Sequence, residues 1–297
     1  MSTALETLID LLDLEVIEEN IFRGYSPNEY RIRVFGGQVA GQALIAAGRT
    51  VSKGTVHSLH AYFLRPGDPK VPILYLVDRI RDGKSFTTRR VVAIQHGEAI
   101  FNLSASFHVS EPGLNHQTAM PEVPDPESLP DFSEKMAPYA DRMGEWYSWP
   151  RPFDQRYVDE PNMLRAQNGR KPEQRVWMKA DGTLPDDPLL HACVIAYASD
   201  MTLLDSVMLP HNISWDQPGL MVASLDHAMW FHRQFRADEW FLYDQWSPSA
   251  AGSRGLAQGQ IFSHDGQLVV SIVQEGLIRI LNDPNTRASI LGAKPEA

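Results

Sequence analysis

The chain has 297 residues, 43% of them hydrophobic and 22% charged, with 37 acids against 27 bases and a formal charge of −10 at pH 7. A surface of that sign repels nucleic acid and anionic lipid, and no apolar run approaches the ~20 residues that cross a bilayer. The acidic N-terminus lacks the basic-then-apolar pattern of a secretion signal, and the single cysteine, Cys193, excludes an internal disulfide and a thiolate-rich metal site. A cytoplasmic enzyme or small-ligand binder is expected, with no nucleic-acid or membrane partner, and at ~100–200 residues per domain the length suggests two domains.

In chain order, Leu14 to Phe22 alternates apolar and polar residues and is expected to be a strand. Gly36 to Val51 (GGQVAGQALIAAGRTV) carries almost no charge and predicts a helix apolar nearly all round, hence buried. Four strand-like segments follow, VHSLHAYFLRPGD, ILYLVDRIRDG, KSFTTRRVVAIQHG and EAIFNLSASFH, each closed by a turn signal or polar break. From Ser110 to Pro152 prolines stand at 112, 121, 124, 126, 130, 138, 150 and 152, a density that forbids strands and sustained helix, with room for a short helix between Pro130 and Trp149.

Beyond this connector the pattern recurs. Arg175 to Lys179 predicts a strand, and Pro188 to Val207 (PLLHACVIAYASDMTLLDSV) a second buried helix with proline at its start. The segments LMVASLDHAMWFHR, EWFLYDQWSPSAAG, SRGLAQGQIFSHDG and QLVVSIVQEGLIRI predict four more strands. Ser58-Leu59 recurs 166 residues later as Ser224-Leu225, and the turn His96-Gly97 recurs 169 residues later as Asp265-Gly266. An all-apolar helix needs cover on every side, which a curved antiparallel sheet wrapped around it supplies. The expected architecture is therefore α+β: two repeats, each a curved antiparallel sheet around a buried central helix. The limits are 1–110 for the first, 111–152 for the proline-rich linker and 153–297 for the second.

Two buried polar residues break the repeat. Asp200 lies in the second helix among Tyr197, Met201, Leu203 and Leu204, whereas the first helix has no acid between Phe35 and Thr50. A buried carboxylate costs several kcal/mol unless paired, so it is either functional or turned to a solvent gap, and position alone leaves the two open. Asp205, nearer the helix end, is expected to be solvated. Strand alternation puts Gln274 on one face with Leu268, Val270 and Ile272, and the 169-residue offset matches it to Ala105. A structural amide holding a loop is the bland alternative to a functional one.

The stretches FRGYSPNEYRIRVFGGQVAGQAL, HSLHAYFLRPGD, SLDHAMWFHR and VQEGLIR resemble the acyl-CoA thioesterase II family, over nearly the whole chain outside the linker. The resemblance implies a double hotdog fold, an acyl-CoA substrate, a homo-oligomer, and a catalytic set of Asp200, Ser224 and Gln274. The family usually has threonine where this chain has Ser224, which keeps the hydroxyl and loses the stiffening methyl. The implied chemistry is water attack on the thioester, with Asp200 as general base and Ser224 and Gln274 holding the water. Backbone amides at Gly36-Gly37 are candidates for the oxyanion site.

Other chemistries fit less well. There is no G-x-S-x-G elbow, no dinucleotide fingerprint and no phosphate-binding loop, so no nicotinamide, ATP or other cofactor is implied. Ser224 and His227, three apart on a strand, are expected on opposite faces, as are His57 and His60, against a local dyad or metal pair; no metal is expected. Arg79, Arg81, Lys84, Arg89 and Arg90, and separately Arg170, Lys171 and Arg175, form basic clusters expected mostly at solvated sheet surface. The alternatives are a hotdog enoyl-CoA hydratase or dehydratase, which wants an acid paired with a histidine, and a non-catalytic acyl-thioester-binding protein.

Overall fold

A computed structural model describes residues 3–27, 33–161 and 171–281. Helix α1 (Ala4–Leu12) precedes the hairpin β1 (Glu15–Glu18) and β2 (Ile21–Gly24). Helix α2 (Gly36–Gly48) is followed by β3 (Thr55–Phe63), β4 (Ile73–Asp82), β5 (Phe86–Gln95) and β6 (Glu98–His108). Short helices α3 (Phe132–Met136) and α4 (Ala140–Met143) lie in the linker, ahead of β7 (Phe153–Tyr157), β8 (Glu173–Ala180), α5 (Pro188–Ser199) and α6 (Asp205–Met208). The chain ends in β9 (Leu220–Ser224), β10 (Asp226–Phe231), β11 (Phe241–Ala251), β12 (Arg254–Ser263) and β13 (Leu268–Ile280).

The strands form one antiparallel sheet in the order β1-β2-β4-β5-β6-β3-β10-β13-β12-β11-β8-β7, with β9 also on β13. The two halves of that order mirror each other, β2-β4-β5-β6-β3 against β8-β11-β12-β13-β10, and meet where Leu59 of β3 faces Met229 of β10. The turns matched in the sequence occupy matching places: Gly97 and Gly266, both at positive φ, close the β5–β6 and β12–β13 hairpins.

Helix α2 is buried from Gly37 to Gly48, as its lack of a polar face requires. It packs on α5, which is buried over most of its length. Cβ atoms at Gly37 and Gly41 would stand 2.4 Å from Tyr197 O and 3.2 Å from Cys193 O, so glycine lets the two backbones approach. Helix α1, which the periodicity reading did not single out, opens with a Thr3–Glu6 capping box and buries Leu5, Leu8 and Leu12.

The linker carries no strand among its described residues, and its short helical pieces fall between Pro126 and Ser148. Phe132, Met136 and Met143 anchor it in the main core. Arg151 clamps it: the guanidinium lies 3.7 Å from the centre of the Phe132 ring and donates to the carbonyls of Trp146, Tyr147 and Trp149. No helix among the described residues is long and apolar enough to cross a membrane.

The second buried helix is shorter than the composition suggests. It stops at Ser199, and Asp200 is its C-cap. Asp205 is buried and accepts a 2.6 Å hydrogen bond from Trp215 Nε1, a partner ten residues on that helix periodicity does not reveal; the expectation of a solvated Asp205 is thereby corrected. Arg89 is not solvated sheet surface either: it is 1% exposed, donating to Thr50 O and Oγ1, Arg81 O and Asp82 Oδ1. Arg170 lies outside the described residues, and Arg175 pairs with Asp244 at 2.9 Å.

Candidate active site

Three elements distant in sequence bring Asp200, Ser224 and Gln274 together. The end of α5 presents Asp200, the last residue of β9 presents Ser224, and β13 presents Gln274. Gln274 Nε2 donates to Asp200 Oδ1 at 2.6 Å and to Ser224 Oγ at 2.8 Å, while Ser224 Oγ donates to the same Oδ1 at 3.0 Å. The carboxylate thus takes two side-chain hydrogen bonds on one oxygen.

Its other neighbours come from the N-terminus of α2. The Gly37 N–H is near enough to Asp200 to favour its charged form, and a Cβ on Gly36 would lie 2.6 Å from Asp200 Oδ2. The positive end of the helix therefore faces the carboxylate, and the missing side chain is what permits the approach. The Gly37 amide, a candidate for the oxyanion site, thus stands close to the acid.

Burial pushes the Asp200 carboxyl up to about 6, because the charged form loses hydration; hydrogen bonds from Gln274, Ser224 and Gly37, then the Arg33 charge, oppose that rise. A carboxylate held near 6 is ionised at neutral pH yet basic enough to take a proton in turnover. Arg33 was not singled out in the sequence. Its guanidinium donates to Val222 O, just upstream of Ser224, and the signal available was only its place in the quoted stretch before Gly36.

The backbone between Ser224 and His227 departs from simple alternation. Ser224 pairs with Gly276, but Ala228 pairs with Val273, so four steps on one strand span three on the other. The extra residue is a β-bulge at Leu225–Asp226. It carries Ser224 and His227 onto the same face, where alternation had put them on opposite ones. Gln274 stands between them.

Among its described residues the first half holds no counterpart. Ala105 lies opposite Leu59 and Arg89, just as Gln274 lies opposite Ala257 on β12. Where the second half has the small Ala257, the first has Arg89, whose guanidinium binds Thr50, the residue after the C-cap of α2. That side chain occupies the place corresponding to the site.

A cavity of about 460 Å³ is lined by Tyr197 and Met201, near Asp200 in sequence, and by Phe132, Met136 and Trp146 of the linker; Asp200, Ser224 and Gln274 are not among its lining residues. His57 bonds to Ser106 Oγ at 2.8 Å, while His60 sets its ring edge-on to Trp230. Among the described residues no three His, Cys, Asp or Glu side chains gather closely enough to hold a metal ion.

The profile of the acyl-CoA thioesterase family matches residues 151–277, and that of an acyl-CoA thioesterase N-terminal domain matches residues 26–108. The chain is 44% identical over 286 residues to mouse acyl-coenzyme A thioesterase 8, covering 91% of this chain and 88% of that one. It is 43% identical over 288 residues to acyl-CoA thioesterase 2 of Haemophilus influenzae, covering 94% and 99%. Among solved structures, an acyl-CoA thioesterase II from Mycobacterium marinum superposes with a TM-score of 0.77 at 47% identity over 93% of this chain and 99% of that one. A hot dog fold protein from Alicyclobacillus acidocaldarius has a TM-score of 0.76 at 19% identity, over 92% and 98%, a likeness of fold.

Proposed function

The chain belongs to the acyl-CoA thioesterase family and is a thioester hydrolase, and from that premise we propose that Asp200, Ser224 and Gln274 form its one catalytic site. The proposed organisation is a double hotdog, 1–110 and 153–297 joined by 111–152, with the catalytic set in the second unit. The observation that carries the assignment is the convergence of a hydroxyl and an amide on one carboxylate whose pKa is raised to about 6.

In the proposed reaction Ser224 and Gln274 hold the ionised Asp200 by its Oδ1, and the carboxylate takes a proton from a water. The hydroxide so formed attacks the thioester carbonyl carbon, and the tetrahedral adduct expels the thiolate. The thiolate recovers the proton from Asp200, so one water is consumed and the products are the free acid and coenzyme A. Two hydrogen bonds already occupy Oδ1, which leaves Oδ2, beside the bare Cα of Gly36, as the oxygen for the water. The mostly apolar cavity reached by Tyr197 and Met201 is the proposed place for the acyl chain, its volume being within the ~300–1,000 Å³ of ordinary ligand pockets.

The test follows thiol release from saturated acyl-CoAs of graded length with the wild-type protein and Gln274→Ala. Release by the wild type and a deep loss in the variant are expected. A covalent acyl group trapped on Ser224 would replace water attack by a serine nucleophile, and undiminished turnover by Gln274→Ala would remove Gln274 from the set.

A further inference from the structure

Gln274 holds its place through only one end of its amide. The Nε2 end faces the Asp200 carboxylate, and only a donor can do so. The Oε1 end is buried without a hydrogen bond among the described residues. A primary amide flipped by 180° would turn its oxygen onto the carboxylate, so whatever faces Oε1 decides whether the amide stays correctly oriented.

What faces it is His227. The β10–β13 register pairs Phe231 with Val270, Met229 with Ile272 and Ala228 with Val273; one more step sets His227 opposite Gln274 on the same inward face. Directly opposed side chains in an antiparallel pair have Cβ atoms ~4.5–5.5 Å apart. His227 is 1% exposed, and its Nδ1 is the other buried atom here without a partner. Its Nε2 lies 2.8 Å from Ser199 Oγ, on the residue preceding Asp200.

We propose that His227 is a positioning residue of this site: as the neutral Nδ1–H tautomer it donates to Gln274 Oε1 and thereby locks the amide with Nε2 on Asp200 and Ser224. The Ser199 hydroxyl has two oxygen or nitrogen acceptors in reach, Ala196 O at 3.0 Å and His227 Nε2 at 2.8 Å; in the proposed arrangement its one hydrogen goes to Nε2, which leaves the ring proton on Nδ1. Burial keeps the ring neutral, pushing its pKa down to about 4, and hydrogen bonding to Gln274 opposes that fall in part. Ser199 is itself fixed, because its carbonyl accepts from Tyr243 Oη at 3.0 Å. The chain Ser199–His227–Gln274 thus leaves the end of α5 beside the acid and returns to it from the sheet. The bulge at Leu225–Asp226 makes this possible by turning His227 to the side of Ser224.

This rests on Gln274 belonging to the site, and the experiments separate the two. His227→Leu removes the donor, whereas His227→Asn carries an amide N–H close to the position of Nδ1. With both variants shown folded by their melting temperatures, His227→Leu is expected to lower kcat by about 10- to 100-fold with KM nearly unchanged. His227→Asn is expected to recover most of that loss. Nitrogen-15 spectra of histidine-labelled wild type at pH 7 should show His227 as the Nδ1–H tautomer, a readout independent of turnover and of any variant's folding. An Nε2–H tautomer, unchanged kcat in His227→Leu, or an Asn variant as impaired as Leu would each overturn the proposal. If Gln274→Ala were also fully active, the assignment of Gln274 would fail with it; if Gln274→Ala were inactive, only the positioning role would fail.

Discussion

Asp200→Asn removes the charge of the site while nearly preserving its shape, and it separates the cost of that charge from its use. Burial raises the carboxyl from an ordinary value of 3.8 to about 6. A folded pKa above the unfolded one means the native state holds the proton more tightly, so this group favours the fold most below the unfolded pKa. That contribution is lost as pH rises through about 6. At ~1.4 kcal/mol per pH unit, keeping Asp200 ionised at pH 8 costs the native state about 3 kcal/mol. Asparagine avoids this cost. Its Nδ2 then meets the Gly37 N–H, a donor against a donor, which costs about 1–2 kcal/mol at every pH.

The variant should therefore be less stable than wild type at pH 4 and more stable at pH 8, the difference moving by about 2.5 kcal/mol. With an unfolding entropy of ~2.1 cal/mol/K per residue, that is a relative shift of about 4 °C in melting temperature. Thermal unfolding of both proteins from pH 4 to 8 measures it. Turnover should fall by about 10²- to 10⁴-fold in the variant, and wild-type kcat/KM should rise with pH through an inflection near 6. A stability difference that does not change with pH would refute the raised pKa. Full activity in the variant would refute the base.

Gly36→Ala should improve helix propensity by about 0.5–1 kcal/mol in an open site, but here its Cβ meets Asp200 Oδ2 at 2.6 Å and Phe63 at 2.9 Å. Loss of roughly 10²-fold in kcat is expected, and steady-state kinetics beside a melting curve checks it. Ser224→Ala should cost about 10-fold or more in kcat, while Ser224→Thr, which keeps the hydroxyl and stiffens it, should stay near wild type. Arg89→Met leaves the carbonyls of Thr50 and Arg81 without their buried donor, so a stability loss of about 2–3 kcal/mol is expected by denaturant titration. Turnover per folded chain should be unchanged, since clearing the space in the first half supplies no acid there.

Local pattern determined much of this protein. Charge-free runs give buried helices, alternating runs give strands, and prolines between 112 and 152 exclude strands, because each depends on residues near in sequence. The repeat and the placing of Asp200 and Gln274 in the second half only were legible for the same reason. Tertiary structure decided what local pattern does not encode. A helix composition extending to Val207 ends at Ser199, so that Asp200 caps it and meets the N-terminus of α2 from the other half. One extra residue at Leu225–Asp226 reverses the alternation and sets His227 behind Gln274, a shift fixed by pairing with β13 forty-odd residues on. Arg89 and Asp205 look like surface charges until Thr50 and Trp215 are brought to them. Residue type and spacing specify which elements form; a buried charge is specified by its partners, and those come from elsewhere in the chain.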